Sequence, residues 1–236
     1  MYFFDEPEFQ AVFSSIESIL TDTNGREPYF LSPEEALRWH KIRPDRQRRS
    51  WLAGRICLKF LWYRFNQENQ DKSVDENSIS WSTINVSSWN EHGEGVSPVL
   101  YVDGNRIDRH FSLSHSDFSV LAVLSKQKDR RIGCDLVPLG SFSHRINPFI
   151  FHPAEQKMID GTTEETADRI WAVKEAVYKA TSTDRPFAPL QWHVERLNDD
   201  IFICRSSESS VVVSTWRHDD HALAVTVVDV SEAGQQ

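Results

Sequence analysis

The sequence lacks most of the features that mark secreted, membrane-spanning or nucleic-acid-binding chains. It has three cysteines, Cys57, Cys134 and Cys204, and none stands in a C-x-x-C pair. A disulfide framework is therefore not expected, and isolated thiols in a reducing compartment are. No apolar run approaches the roughly 20 residues of a membrane span, so no membrane association is expected. Met1-Tyr2-Phe3-Phe4-Asp5-Glu6 offers neither a basic leader nor a long apolar core. No secretory signal is read there, and a cytoplasmic protein is the expectation. The Asn85-Val86-Ser87 glycosylation sequon is then incidental. Basic excess is also missing: the net charge is −9, which argues against a general nucleic-acid binder.

What is present is ordinary for a folded chain. With 236 residues, 39% hydrophobic and 26% charged, the chain can build one large domain or two small ones. Eight tryptophans and fourteen phenylalanines point to aromatic packing, not disorder. The acidic balance hides a basic segment. Arg38, Lys41, Arg43, Arg46, Arg48, Arg49, Arg55, Lys59 and Arg64 fall together with Asp45 as the only acid among them. Such a cluster in an acidic chain points to a local anionic partner or to a solvated helix face.

Local patterns place the elements. Ala11 to Leu20 has helical spacing. Ser32-Pro33-Glu34-Glu35 is a helix start, with serine at the N-cap and proline at N1. Pro44 opens a longer helix, from about Asp45 to Phe65, with Leu52, Ile56, Phe60 and Tyr63 as its apolar stripe. Residues 66 to 78 read as a polar loop, Ser80 to Ser88 as a strand, and Glu91 to Ser97 as a Gly-rich turn. Phe111 to Leu113 and Val120 to Leu124 form a hairpin-like pair. Arg131 to Val137 is a strand, and His152-Pro153 opens a short helix. Thr162 with Glu165 has the spacing of a capping box. Beyond Pro189, four runs (Val194–Leu197, Ile201–Cys204, Val211–Trp216 and Leu223–Val228) read as a strand meander. The fold class is α+β, divided near the Asp103-Gly104-Asn105 turn into residues 1–105 and 106–236. No sequence repeat relates the two parts.

Chemistry concentrates in two places. On one helix, Trp171, Glu175 and Lys179 recur every fourth residue and share a face, while Ile170, Val173 and Val177 make the core side. On the strand before it, Ile132-Gly133-Cys134-Asp135 presents a lone carboxylate ahead of Pro138. Two carboxylates could hold a hard divalent cation between them, and nearby lysines suit a phosphate on it. Asp135 could equally be a turn or cap residue, and Glu175 a surface partner of Lys179. Ser114 and His115 do not read as a hydrolase pair, because neighbours on a strand point to opposite faces.

Phe111-Ser112-Leu113-Ser114-His115, then Ile132-Gly133-Cys134-Asp135, then Trp171 to Lys179 resemble, in order and separation, the three signatures of the Sfp-type 4′-phosphopantetheinyl transferases. Ser32 to Arg38 and Ala53-Gly54-Arg55 resemble the family's N-terminal helical region. The resemblance runs from about residue 30 to 230. It implies two similar α+β halves related by a pseudo-twofold axis, with the ligand between them and no need of a dimer. It implies transfer of the 4′-phosphopantetheine arm of coenzyme A to a serine of an apo acyl or peptidyl carrier protein, releasing adenosine 3′,5′-bisphosphate. Mg²⁺, or Mn²⁺, would sit on Asp135 and Glu175, with Glu175 as base and Lys179 on the departing phosphate. Arg38, Arg49, Ser114, His115 and Lys174 would bind coenzyme A phosphates.

Two departures from the family stand out. Val137 occupies the position where many bacterial members carry a further acid, as in the subset that fills the site with water. Val96-Ser97-Pro98 replaces a Gly-Lys-Pro, so a nucleotide-holding lysine is missing. A non-catalytic coenzyme A or carrier-binding module, or a metal-dependent phosphohydrolase, are the rival readings.

Overall fold

The computed structural model describes residues 1–23, 27–69, 80–89, 95–142, 149–162, 165–181, 186–207 and 209–229. Most of the polar stretch before Ser80 and of the Gly-rich turn from Glu91 lies outside the described residues. By contacts the chain divides into two units, Met1–Lys128 and Asp129–Gln236.

The first unit holds β1 (Tyr2–Asp5), β2 (Phe9–Ser15), α1 (Ile16–Thr23), α2 (Pro33–Lys41), α3 (Asp45–Asn69), β3 (Ile84–Trp89), β4 (Gly95–Val102), β5 (Asn105–Arg106), β6 (Phe111–His115) and β7 (Ser119–Ser125). One sheet has the order β1-β2-β7-β6 and a second β3-β4-β5. The second unit holds β8 (Arg130–Pro138), α4 (Pro153–Asp160), α5 (Glu165–Thr181), β9 (His193–Arg196), β10 (Ile201–Arg205), β11 (Ser210–His218) and β12 (His221–Asp229). Its sheet runs β8-β12-β11-β10-β9. All these pairings are antiparallel, so the class is α+β, as the sequence indicated.

Three expectations need correction. The helical spacing from Ala11 to Leu20 belongs to a strand followed by a helix: β2 pairs with β7 from Phe9↔Ser125 to Ser15↔Ser119, and α1 starts at Ile16. β2 is buried on both faces and so shows no apolar–polar alternation, and Val12, Phe13, Ile16, Ile19 and Leu20 fall at helical spacing across its junction with α1. The division near residue 105 falls inside the first unit. Asp103 and Gly104, both at positive φ, make the tight β4–β5 turn, and β6–β7 pairs with β2, not with β8. The strand expected from Ser80 begins at Ile84, after a 3₁₀ turn over Trp81–Thr83.

Each unit rests a helix on its sheet. In the first, α3 contributes Leu52, Ile56, Leu58 and Leu61 to a core shared with Val120, Ala122 and Leu124 of β7. Phe60 and Tyr63, from the apolar stripe, pack at its margin. In the second, α5 brings Ile170, Val173, Ala176 and Val177, all fully buried, against Val137 of β8 and Ala224 of β12.

The two units also share a detail that no sequence repeat announced. In the first, Glu35 at the third position of α2 accepts Ser32 N (2.8 Å) through Oε2 and Val86 N (3.1 Å) through Oε1. Lys59, from α3, donates to Glu35 Oε2 (2.5 Å) and to Phe30 O (2.7 Å). In the second, Glu155 accepts His152 N (2.7 Å) through Oε2 and Val194 N (2.7 Å) through Oε1. Lys174, from α5, donates to Glu155 Oε2 (2.7 Å) and to Ile150 O (3.0 Å). In both, a Pro-x-Glu helix start sends its glutamate to the helix cap, to a strand amide and to a lysine of the long helix. Both lysine side chains have zero exposure, and burial pulls both ammonium groups below their usual range.

Such pairs are expensive to break from one side, at about 3–5 kcal/mol, because the remaining charge is stranded. Lys59→Met is expected to lower unfolding free energy in urea by about that amount. A loss under about 1 kcal/mol would mean the pair contributes no more than a surface one.

Candidate active site

The second unit assembles its polar face from β8 and α5. Along β8, Gly133, Asp135 and Val137 alternate onto one side of the strand, the side that α5 covers. A Cβ at Gly133 would lie 1.9 Å from Ala176 O and 2.6 Å from Ala180 N. Only a residue without a side chain lets the helix backbone come this close. Two residues further on along the same face, the 6% exposed Asp135 carboxylate accepts Lys179 Nζ at 2.7 Å, and the same ammonium donates to Cys134 O at 3.1 Å. Close packing at Gly133 thus sets the reach of Lys179 to Asp135.

Glu175 lies one helical turn before Lys179 and is half-buried. Burial raises its pKa; Lys179 opposes the rise and the Asp135 charge adds to it. It makes no hydrogen bond or ion pair among the described residues, so Lys179 has gone to Asp135 and left this carboxylate open. For Lys179, burial works against the charged form, but Asp135 and Glu175 help to outweigh it and hold the ammonium above its usual range. Trp171, on the same face, stacks near Phe142 (5.1 Å between centroids) and Phe187 (5.5 Å). It is a packing residue.

Lys174 does not join this face, which corrects the expectation of a phosphate contact there. It is the fully buried partner of Glu155. The signal was readable: Lys174 follows Ile170 by four and precedes Val177 by three, which puts it on the core stripe of α5. Sequence reasoning also missed Asp168. Its carboxylate accepts Gly140 N (2.8 Å) and Phe142 N (3.0 Å), tying the segment after β8 to α5 beside Trp171. An acid near a helix start is too common to single out.

The other expected residues belong to the first unit. Ser114 is buried and His115 exposed, opposite Leu121 and Val120 respectively on β7. Phe111 and Leu113 face α3, and strand alternation sends Ser114 the other way, so serine and histidine do not face each other. Arg38 lays its guanidinium over Trp89 at 4.2 Å. Arg49 pairs with Glu17 and lines a cavity of about 310 Å³ with Trp39, Arg48 and Leu52, which Arg38 does not line.

Residues 131–226 match the 4′-phosphopantetheinyl transferase superfamily. That stretch, less than half of the chain, is similar to the superfamily. The match runs from the start of β8 almost to the end of β12, so it contains Asp135, Glu175 and Lys179 and none of the first unit. No curated protein matches the chain. A phosphopantetheinyl transferase uses coenzyme A and typically a divalent metal. The donor set fits such a cation. Asp135 and Glu175 are close enough for one charge to raise the other's pKa, which a cation between them would relieve. Among the described residues no group of three or more His, Cys, Asp or Glu could hold a metal. Two carboxylate oxygens suit Mg²⁺, which keeps waters and takes substrate phosphates.

Gly133→Ala is expected to destabilise the protein by about 3 kcal/mol, at the upper end of overpacking costs, and to suppress transfer. Denaturant unfolding with an activity assay measures both. Wild-type behaviour in the two would show that the close approach at Gly133 is not needed.

Proposed function

We propose that this transferase moves the 4′-phosphopantetheine arm of coenzyme A onto a serine hydroxyl of an apo acyl or peptidyl carrier protein, acting as a holo-acyl-carrier-protein synthase. The observation that carries the reading is the open Glu175 carboxylate, its pKa raised by burial, beside a charge-paired Asp135 and Lys179.

The serine oxygen forms a bond to the β-phosphorus of coenzyme A, and the bond from that phosphorus to the bridging oxygen breaks. Adenosine 3′,5′-bisphosphate leaves with the electron pair. Glu175, directly or through a water, takes the serine proton as the hydroxyl attacks. Asp135 and Glu175 would hold Mg²⁺ or Mn²⁺, which when bound neutralises charge on the phosphate oxygens. Lys179, kept protonated by Asp135, faces the charge of the departing bisphosphate. Arg38, Ser114, His115 and Arg49 would anchor the phosphates of coenzyme A and so keep the reacting phosphorus in line. Val137 has no oxygen to offer a cation, so water would have to make up the ligands that Asp135 and Glu175 do not supply.

The test is the intact mass of apo acyl and peptidyl carrier proteins incubated with the enzyme, coenzyme A and Mg²⁺, with an EDTA control. A metal-dependent gain of about 340 Da, the phosphopantetheinyl arm, is expected. It should be lost in Asp135→Ala and Glu175→Ala while their far-ultraviolet circular dichroism stays native. Absence of the gain with every carrier would favour a binding module, and release of pantetheine phosphate without carrier a hydrolase.

A further inference from the structure

Asp168 takes no part in the chemistry above, yet it is a carboxylate with zero exposure and no ion pair among the described residues. Burial pushes its pKa up, and the amides of Gly140, Phe142 and Ser141 pull against that rise. An acid in the first turn of a helix ordinarily serves that helix's own amides. Asp168 instead sends both oxygens to another element: Oδ2 accepts Gly140 N at 2.8 Å and Oδ1 accepts Phe142 N at 3.0 Å. The receiving segment is the turn after β8, in which Gly140 has φ +82° and Ser141 donates to Pro138 O through both N and Oγ. A buried carboxylate is costly unless its lone pairs are met, and this turn is what meets them.

Its place on the helix gives the contact a consequence. Asp168, Glu175 and Lys179 stand seven and four residues apart, on one stripe of α5. Numbers rise along the strand as they fall along the helix. Gly133 meets Ala176 and Ala180, Asp135 meets Lys179, and Gly140 meets Asp168. The chain through β8 is therefore fastened to α5 at both ends of the stripe. Between the fastenings stands Glu175, which makes no bond of its own among the described residues. The Lys174–Glu155 pair sets the rotation of α5 but ties it to α4 and β9, not to β8. Held at the Gly133 end alone, α5 could tilt about that contact. A tilt of roughly 10° would shift Glu175 by nearly 1 Å at a rise of about 1.5 Å per residue, more than the ~0.5 Å that a preorganised site tolerates.

We infer that Asp168 is a positioning residue for the cation seat: by clasping the turn after β8 it fixes the tilt of α5, and with it the distance from Glu175 to Asp135. The inference rests on the reading of Asp135 and Glu175 as cation ligands given above.

The test compares Mn²⁺ affinity, by electron paramagnetic resonance, in the wild type, Asp168→Asn and Arg169→Gln, with urea unfolding of each. Asparagine keeps the shape but offers one oxygen for two amides. Arg169, on the same helical turn, pairs with Glu165 and Asp199 O and does not touch the turn after β8, so its loss reports stability alone. Asp168→Asn is expected to bind Mn²⁺ about tenfold more weakly, the lower end of what losing an outer supporting group costs. Its kcat for carrier modification should fall and recover as Mn²⁺ is raised, with KM for coenzyme A unchanged. Arg169→Gln should lose stability and keep wild-type Mn²⁺ affinity. Should Asp168→Asn not fold, Asp168→Glu, which keeps the charge and displaces it by one methylene, carries the same expectation. Wild-type affinity in the folded Asp168 variant, or equal weakening in Arg169→Gln, overturns the inference and leaves the cation seat standing. No Mn²⁺ binding by the wild type overturns both. Weakened Mn²⁺ binding in an enzyme that modifies no carrier supports the positioning role and overturns the transfer reaction.

Discussion

The buried ammonium–carboxylate pair between α5 and the start of α4 governs the rest of the second unit. Glu155 caps α4, holds a strand amide of β9 and takes the ammonium of Lys174, so one carboxylate joins two helices and a sheet. That junction fixes the rotation of α5. With Lys174 locked inward among Ile170, Val173 and Val177, the opposite face must present Trp171, Glu175 and Lys179. Gly133 then lets the helix settle against β8, and Lys179 meets Asp135. Chemistry on the outer face is thus set by an interaction on the inner one. The first unit uses the same construction with Glu35 and Lys59, and there the supported helix is α3, which carries Arg55.

Much of this could be read from the sequence, for identifiable reasons. The Ser32-Pro33 cap, the long helix from Asp45 and the meander after Pro189 follow from local rules that operate within a few residues. Asp135, Glu175 and Lys179 were readable because strand alternation and helical spacing fix side-chain direction. What was hidden depends on partners far along the chain. A strand at Phe9–Ser15, buried on both faces, shows no alternation to mark it as a strand until its partner β7 is known. The inward turn of Lys174 was visible in its spacing, but lysine on a core stripe is unusual unless a buried acid awaits it. Glu155, nineteen residues earlier, supplies that acid. Arg55 stood out in the sequence only as one of nine basic residues and as part of Ala53-Gly54-Arg55; its burial against Trp51 and its bond to Ser88 come from the fold.

The two units differ in how their cations are balanced. Around α5, each ammonium has a carboxylate: Lys174 with Glu155 and Lys179 with Asp135, and among the described residues the Glu175 carboxylate is left over. Around α3, Glu35 takes the Lys59 ammonium, while among the described residues the Arg55 guanidinium donates to Ser88 and lies over the Trp51 ring. An open acid suits a proton or a cation.

The central claim is that Asp135 and Glu175 act as one cation seat. Direct measurement is Mn²⁺ binding by electron paramagnetic resonance, on wild type, Asp135→Asn and Glu175→Gln, each with and without coenzyme A. The account expects wild-type binding that tightens with coenzyme A, and a loss of at least about tenfold in either variant, as removal of one charged ligand from a two-carboxylate site should give. Wild-type Mn²⁺ affinity in both variants would place the metal elsewhere and contradict the assignment.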